Sequence, residues 1–209
     1  MDKQKYIEDL RDIKQMMNRS SRFISLSWLS GISAGILAIL GAYLAYQTIY
    51  ANQNYLEYRQ AILSSGNLST LLIIASTTLL LSIASGIFFT TRKARKNKQK
   101  LWDLQTKSLL INLFIPLVTG GILCLILLFK GFIGIIAPLT LIFYGLALVN
   151  ASKYTLDEVR SLGIVEIVLG LLGIYFIGYG LIIWTIGFGI VHIIYGIIMH
   201  LKYGSWKTY

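Results

Sequence analysis

Residues 162–203 read LGIVEIVLGLLGIYFIGYGLIIWTIGFGIVHIIYGIIMHLKY, an apolar run long enough for two membrane crossings. Only Glu166 and His192 break it at depth with readily charged side chains. A helix crosses a hydrocarbon core of roughly 30 Å with about 20 predominantly apolar residues. Applied along the chain, that window predicts spans at 24–50, 68–91, 108–129, 132–150, 160–180 and 182–201, with the Gly178-Tyr179-Gly180 turn dividing the last two. The expected fold class is therefore all-α, a polytopic transmembrane bundle of six helices occupying residues 23–203. A cytoplasmic amphipathic segment, 1–22, precedes it and a cytoplasmic tail, 204–209, follows.

Composition agrees with this reading. Hydrophobic residues make up 56% and charged residues 13% of the chain, against about 25% charged in a soluble domain. Of the nineteen Lys and Arg residues, six precede the first span and seven lie from Arg92 to Lys107. Lys153, Arg160, Lys202 and Lys207 flank the later spans on the same side, and only Arg59 and Lys130 fall on the other. The positive-inside rule then places both termini in the cytoplasm. The formal net charge of +10 sits where translocation and anionic lipid already require it, so nucleic acid is excluded as a partner. The charged N-terminus has no short apolar core followed by a cleavage pattern, and no cleaved signal peptide is expected.

Tyr6, Leu10, Ile13 and Met17 recur at helical spacing between charged residues, which predicts an amphipathic helix on the inner leaflet or against a cytoplasmic protein partner. Span one carries Gly31-x-x-x-Gly35 followed by Ala38, a small-residue face for packing inside the bundle or for a homo-oligomer. Between spans two and three, Arg92, Lys93, Arg95, Lys96, Lys98 and Lys100 form a basic tract for anionic lipid headgroups of the bilayer or an acidic partner. Pro116 and Pro138 are expected to kink spans three and four.

Counted inward from the cytoplasmic side, Glu166 and His192 lie about 10–14 Å deep at 1.5 Å per residue, and Tyr195 is one turn from His192. The expected arrangement is a polar cluster in which Glu166 bonds to His192 or Tyr195, serving as a structural pair or as a proton or ligand site. An unpaired carboxylate at that depth would take up a proton instead. The two histidines, His192 and His200, stand about 12 Å apart along one helix and cannot share an ion, so neither a metal nor a cofactor is expected. No HExxH, GxSxG or phosphate-binding glycine loop occurs, and no catalytic residue is assigned.

Three stretches, IEDLRDIKQMMNRSSRFISLSWLSGISAG, FYGLALVNASKYTLDEVRSLGIVEIVLG and GFGIVHIIYGIIMHLKY, resemble uncharacterised small integral membrane proteins of Bacteroidota. The resemblance implies a bacterial inner (cytoplasmic) membrane, and proximity to winged-helix regulators implies a regulatory or envelope-stress role; it supplies no catalytic residues. Taken together, the expectation is a non-enzymatic sensor, scaffold or assembly component. The alternative is a small secondary transporter or channel using Glu166 and His192.

Overall fold

The computed structural model describes Ile7, Leu10 and residues 27–50, 65–96 and 102–203. Among them every regular element is helical. The long helices are α1 (Trp28–Tyr50), α2 (Ser65–Lys96), α3 (Leu104–Phe129), α4 (Ile136–Ala151), α5 (Asp157–Tyr175) and α6 (Gly180–Tyr203). Short 3-10 turns, Ile133–Ile135 and Ser152–Tyr154, extend α4 at both ends. The predicted N-terminal amphipathic helix, apart from Ile7 and Leu10, and the tail 204–209 lie outside the described residues.

Five of these helical stretches are long and apolar enough to cross a membrane: Trp28–Thr48, Asn67–Lys96, Leu104–Phe129, Ile133–Tyr154 and Gly180–Tyr203. The remaining helix, α5, has 19 residues but opens with Asp157, Glu158 and Arg160 and carries Glu166. Its acidic first turn suits the positive end of the helix dipole.

Small residues decide which helices touch, because lipid tails provide no hydrophobic drive between them. On α4 and α5, a Cβ at Gly145 would fall 2.5 Å from the Gly163 carbonyl, and one at Gly163 would fall 2.7 Å from the Gly145 carbonyl. On α1 and α6, a Cβ at Gly35 would meet the Gly189 carbonyl at 2.6 Å, and one at Gly196 the Trp28 carbonyl at 2.8 Å. Gly31 packs likewise on His192, Tyr195 and Gly196, and Ala38 is buried in the same stripe. The Gly31–Gly35 face is thus used within the chain and is not left open for a second copy. The other side of α1 meets α2 through Ser33 and Ser85, whose hydroxyls are 3.1 Å apart. Across the bundle the order is α2, α1, α6, then the α4–α5 pair, then α3.

Pro116 lies within α3 and lacks the N–H that would bond the Asn112 carbonyl four residues earlier. Asn150 of α4 supplies the missing donor, its Nδ2 lying 3.0 Å from that oxygen. A helix defect on α3 thereby becomes a tie between helices. Pro138, expected inside its span as a kink, instead occupies the first turn of α4, where no intrahelical N–H is lost. The turn between α5 and α6 falls at Phe176–Tyr179, with Gly178 at φ 110°, a conformation that a side chain would disfavour.

Apolar side chains point outward along α2 and α3, where Leu79, Leu80, Phe88, Phe114 and Ile122 are among those exposed. That distribution suits lipid surroundings. One end of the bundle holds the main buried cluster, Leu148, Leu156, Val159, Leu162 and Met199. There the Lys202 ammonium pairs with the Glu158 carboxylate, and the Tyr203 hydroxyl donates to the same Glu158 oxygen at 3.0 Å. Partial burial pushes the Glu158 carboxyl up, but the hydrogen bonds from Lys202, its own backbone and Tyr203, with the Lys202 charge, outweigh it and hold the group below the ordinary glutamate range. On the adjoining loop, the Thr106 backbone N–H at 2.7 Å caps α3 through Asp103 and, with the Thr106 hydroxyl, holds that carboxyl low.

Candidate functional site: a buried polar junction of three helices

Glu166 on α5 and His192 on α6 face each other, as their matched depths predict, with Glu166 Oε1 3.3 Å from His192 Nδ1. Both are buried, Glu166 completely at 0% exposure. The imidazole nevertheless makes its hydrogen bonds elsewhere: Nδ1 lies 3.0 Å from the Gly187 carbonyl and Nε2 lies 2.9 Å from the Tyr144 hydroxyl of α4. A carbonyl only accepts, so Nδ1 carries the hydrogen, and Nε2 of the neutral ring accepts from Tyr144. This tautomer, assigned from the network, satisfies His192 without Glu166.

Neither oxygen of Glu166 has a hydrogen-bond partner. The carboxyl group packs instead against backbone and aliphatic carbon: a Cβ at Gly187 would lie 2.5 Å from Glu166 Oε2 and 2.6 Å from Leu141 Cδ2. Gly187 is therefore the residue that leaves room for the carboxyl. Burying such a group without a donor is unfavourable, more so if it is ionised, and ionisable groups inside membrane bundles mark functional positions more often than structural ones.

Local backbone geometry builds this junction. Residues Thr185–Val191, TIGFGIV, form a π-helix between two α-helical parts of α6. Its wider turns shift the phase of everything beyond them, by about 100° for each residue added to an α-helical frame. His192 stands at the first residue after the π segment, directed at α4 and α5. Trp184, Phe188 and His192 pack in sequence, the first pair tilted and the second stacked, with ring centroids 4.9 Å and then 5.7 Å apart, and Tyr144 lies 4.9 Å from Phe188. Trp184 Nε1 donates to Thr140 Oγ1 at 3.1 Å, fastening the start of the column to α4.

Tyr195, expected in the same cluster, is a correction. Its hydroxyl has no hydrogen-bond partner, and its ring packs at Gly31 and beside the Leu148–Met199 cluster. The tyrosine in the junction is Tyr144, which bonds His192 and not Glu166. Tyr195 shares an α-helical face with His192, whereas the hydroxyl that bonds the imidazole comes from another helix. The available signal was the Tyr144-Gly145 pair, in which the glycine draws α4 against α5 at Gly163.

Of the basic tract, Arg92, Arg95 and Lys96 are exposed at the end of α2 and Lys93 is half-buried; Lys98 and Lys100 lie outside the described residues. Among the described residues no group of three His, Cys, Asp or Glu side chains is placed to hold a metal ion. Comparison with protein-family models, with curated proteins and with solved structures gave no match.

Proposed function

We propose that the chain is a multi-pass protein of the bacterial cytoplasmic membrane, with six spans and both termini inside, acting as a non-enzymatic sensor or assembly component whose responsive element is the Glu166–His192–Tyr144 junction. The observation that carries this reading is the fully buried Glu166 carboxyl with no hydrogen-bond donor, 3.3 Å from an imidazole whose own bonds are complete. Such a group contributes little to holding the fold, so a role other than structure accounts for it better. Its capture of the Nδ1 hydrogen would release the Gly187 carbonyl within the π segment. Protonation of Nε2 would turn Tyr144 from donor to acceptor. Both changes act where α4, α5 and α6 meet, so one proton can bias how α6 sits on its neighbours.

Hydrogen–deuterium exchange of α6, compared between the native protein and Glu166→Gln at matched pH values, tests this. The native protein should show a pH-dependent change in protection after Val191 that the variant lacks. Equal behaviour of the two proteins at every pH would remove the sensor reading. The same unpartnered carboxyl favours a second reading, proton-coupled secondary transport. Proton flux into proteoliposomes that is abolished by Glu166→Gln would put transport first.

A further inference from the structure

A groove of about 420 Å³ runs between α3 and α4, walled by Pro116, Thr119, Phe143 and Leu146 and ending at Asn150 and Lys153. Two contacts set its ends. At the deep end Gly120 lets the Phe143 ring press against the α3 backbone. At the shallow end Asn150 is bonded to the Asn112 carbonyl freed by Pro116. Between them the helices part, leaving apolar walls open to the membrane.

We infer that this groove is a binding site for an anionic phospholipid, one acyl chain lying in it and the headgroup phosphate on Lys153. Length and charge both point to that occupant. From Phe143 to Lys153 is ten residues of α4 and its terminal turn, about 15 Å at 1.5 Å per residue, half of a roughly 30 Å hydrocarbon core and so the depth of one leaflet. Lys153 is exposed at the end where that chain's headgroup would emerge. Lys153 is itself part of the groove's lining, so its ammonium stands at the mouth. Basic residues in pockets between spans on the cytoplasmic side bind anionic headgroups. This site is separate from the basic tract at the end of α2 and independent of the Glu166 junction.

Native mass spectrometry of protein released from nanodiscs containing equal phosphatidylglycerol and phosphatidylcholine tests the assignment. The native protein should retain phosphatidylglycerol preferentially. Lys153→Gln should weaken that retention about five-fold, the effect of one lysine near an anionic surface. Leu146→Trp, an exposed position that fills the groove, should lower retention of both lipids while leaving the melting temperature unchanged. The combined Arg92→Gln, Arg95→Gln, Lys96→Gln protein should retain phosphatidylglycerol as the native protein does. Equal retention of the two lipids, an unaffected Lys153→Gln protein, or loss confined to the triple variant would each overturn the site.

Discussion

His192 faces Glu166 across 3.3 Å, yet the hydrogen on its Nδ1 is directed to the Gly187 carbonyl at 3.0 Å. One N–H thus stands before two oxygens and serves the backbone carbonyl. The carboxyl is left beside a satisfied ring, which separates the energetic roles of the two residues: His192 ties α6 to α4, and Glu166 ties nothing.

Stability measurements should divide the junction accordingly. Glu166→Leu removes a buried polar group that has no bond to lose, and it should raise stability by about 1–3 kcal/mol, the cost of leaving such a group unpaired. Glu166→Gln should change the melting temperature little. Tyr144→Phe should lower stability by about 1–3 kcal/mol, because it leaves buried Nε2 without its donor. Thermal melts of the three variants in one detergent check the order, and a strongly destabilised Glu166→Leu would show that the carboxyl holds the fold after all.

Helix number, the turn at Gly178 and the opposition of Glu166 and His192 were legible because each follows from apolar length or from depth counted along a helix. Partner identity was not. Tyr144 and Tyr195 are equally tyrosines near small residues, and an α-helical count favours Tyr195, three residues from His192. That count holds, since both residues follow the π segment, but the donor to Nε2 comes from α4, whose lateral placement no count along α6 gives. Pro116 was legible as a defect, but its repair by Asn150 depends on the lateral placement of α4, which periodicity does not encode.

Glycines of similar sequence context should respond differently to a large side chain. Gly35 approaches the Gly189 carbonyl so closely that Gly35→Leu must force α1 from α6, whereas a Cβ at Gly86 of α2 meets nothing within 4 Å. Overpacking costs about 1–3 kcal/mol in a well-packed core, and here it acts through backbone that cannot yield. Gly35→Leu should therefore unfold at lower temperature or fail to fold. Gly86→Leu should behave as the native protein does in the same melting experiment.

Acid should loosen the end of the bundle where α5 begins. Glu158 titrates below the ordinary glutamate range when folded, so its contribution is complete above the unfolded value, about 4.3, and is lost as pH falls through the lower folded value. Melting temperature measured downward from neutral pH should decline in that acidic window, and the decline should be shallower in Glu158→Gln. Parallel curves for the two proteins would show that the Lys202 and Tyr203 contacts contribute nothing measurable.

Whether α5 crosses the membrane decides the environment of Glu166, since a helix lying at the surface would leave the carboxyl near water. It opens with charged residues and carries Glu166, yet its backbone is closed against α4 at Gly145–Gly163 and again at Gly170, where a Cβ would lie 2.8 Å from the Pro138 carbonyl. Those two contacts are seven residues apart on α5 and equally far apart on α4, running in opposite directions, so the two helices lie alongside one another over about 10 Å. If α4 spans, that contact holds α5 beside it within the core, and α5 is expected to cross as well. Single cysteines at Lys153 and Tyr179, in a Cys124→Ser background, bracket α5. They should react with an impermeant thiol reagent from opposite sides of intact membrane vesicles, Lys153→Cys from the cytoplasmic side. Reaction of both from one side would reduce the chain to five crossings, place its termini on opposite sides and set Glu166 at an interface.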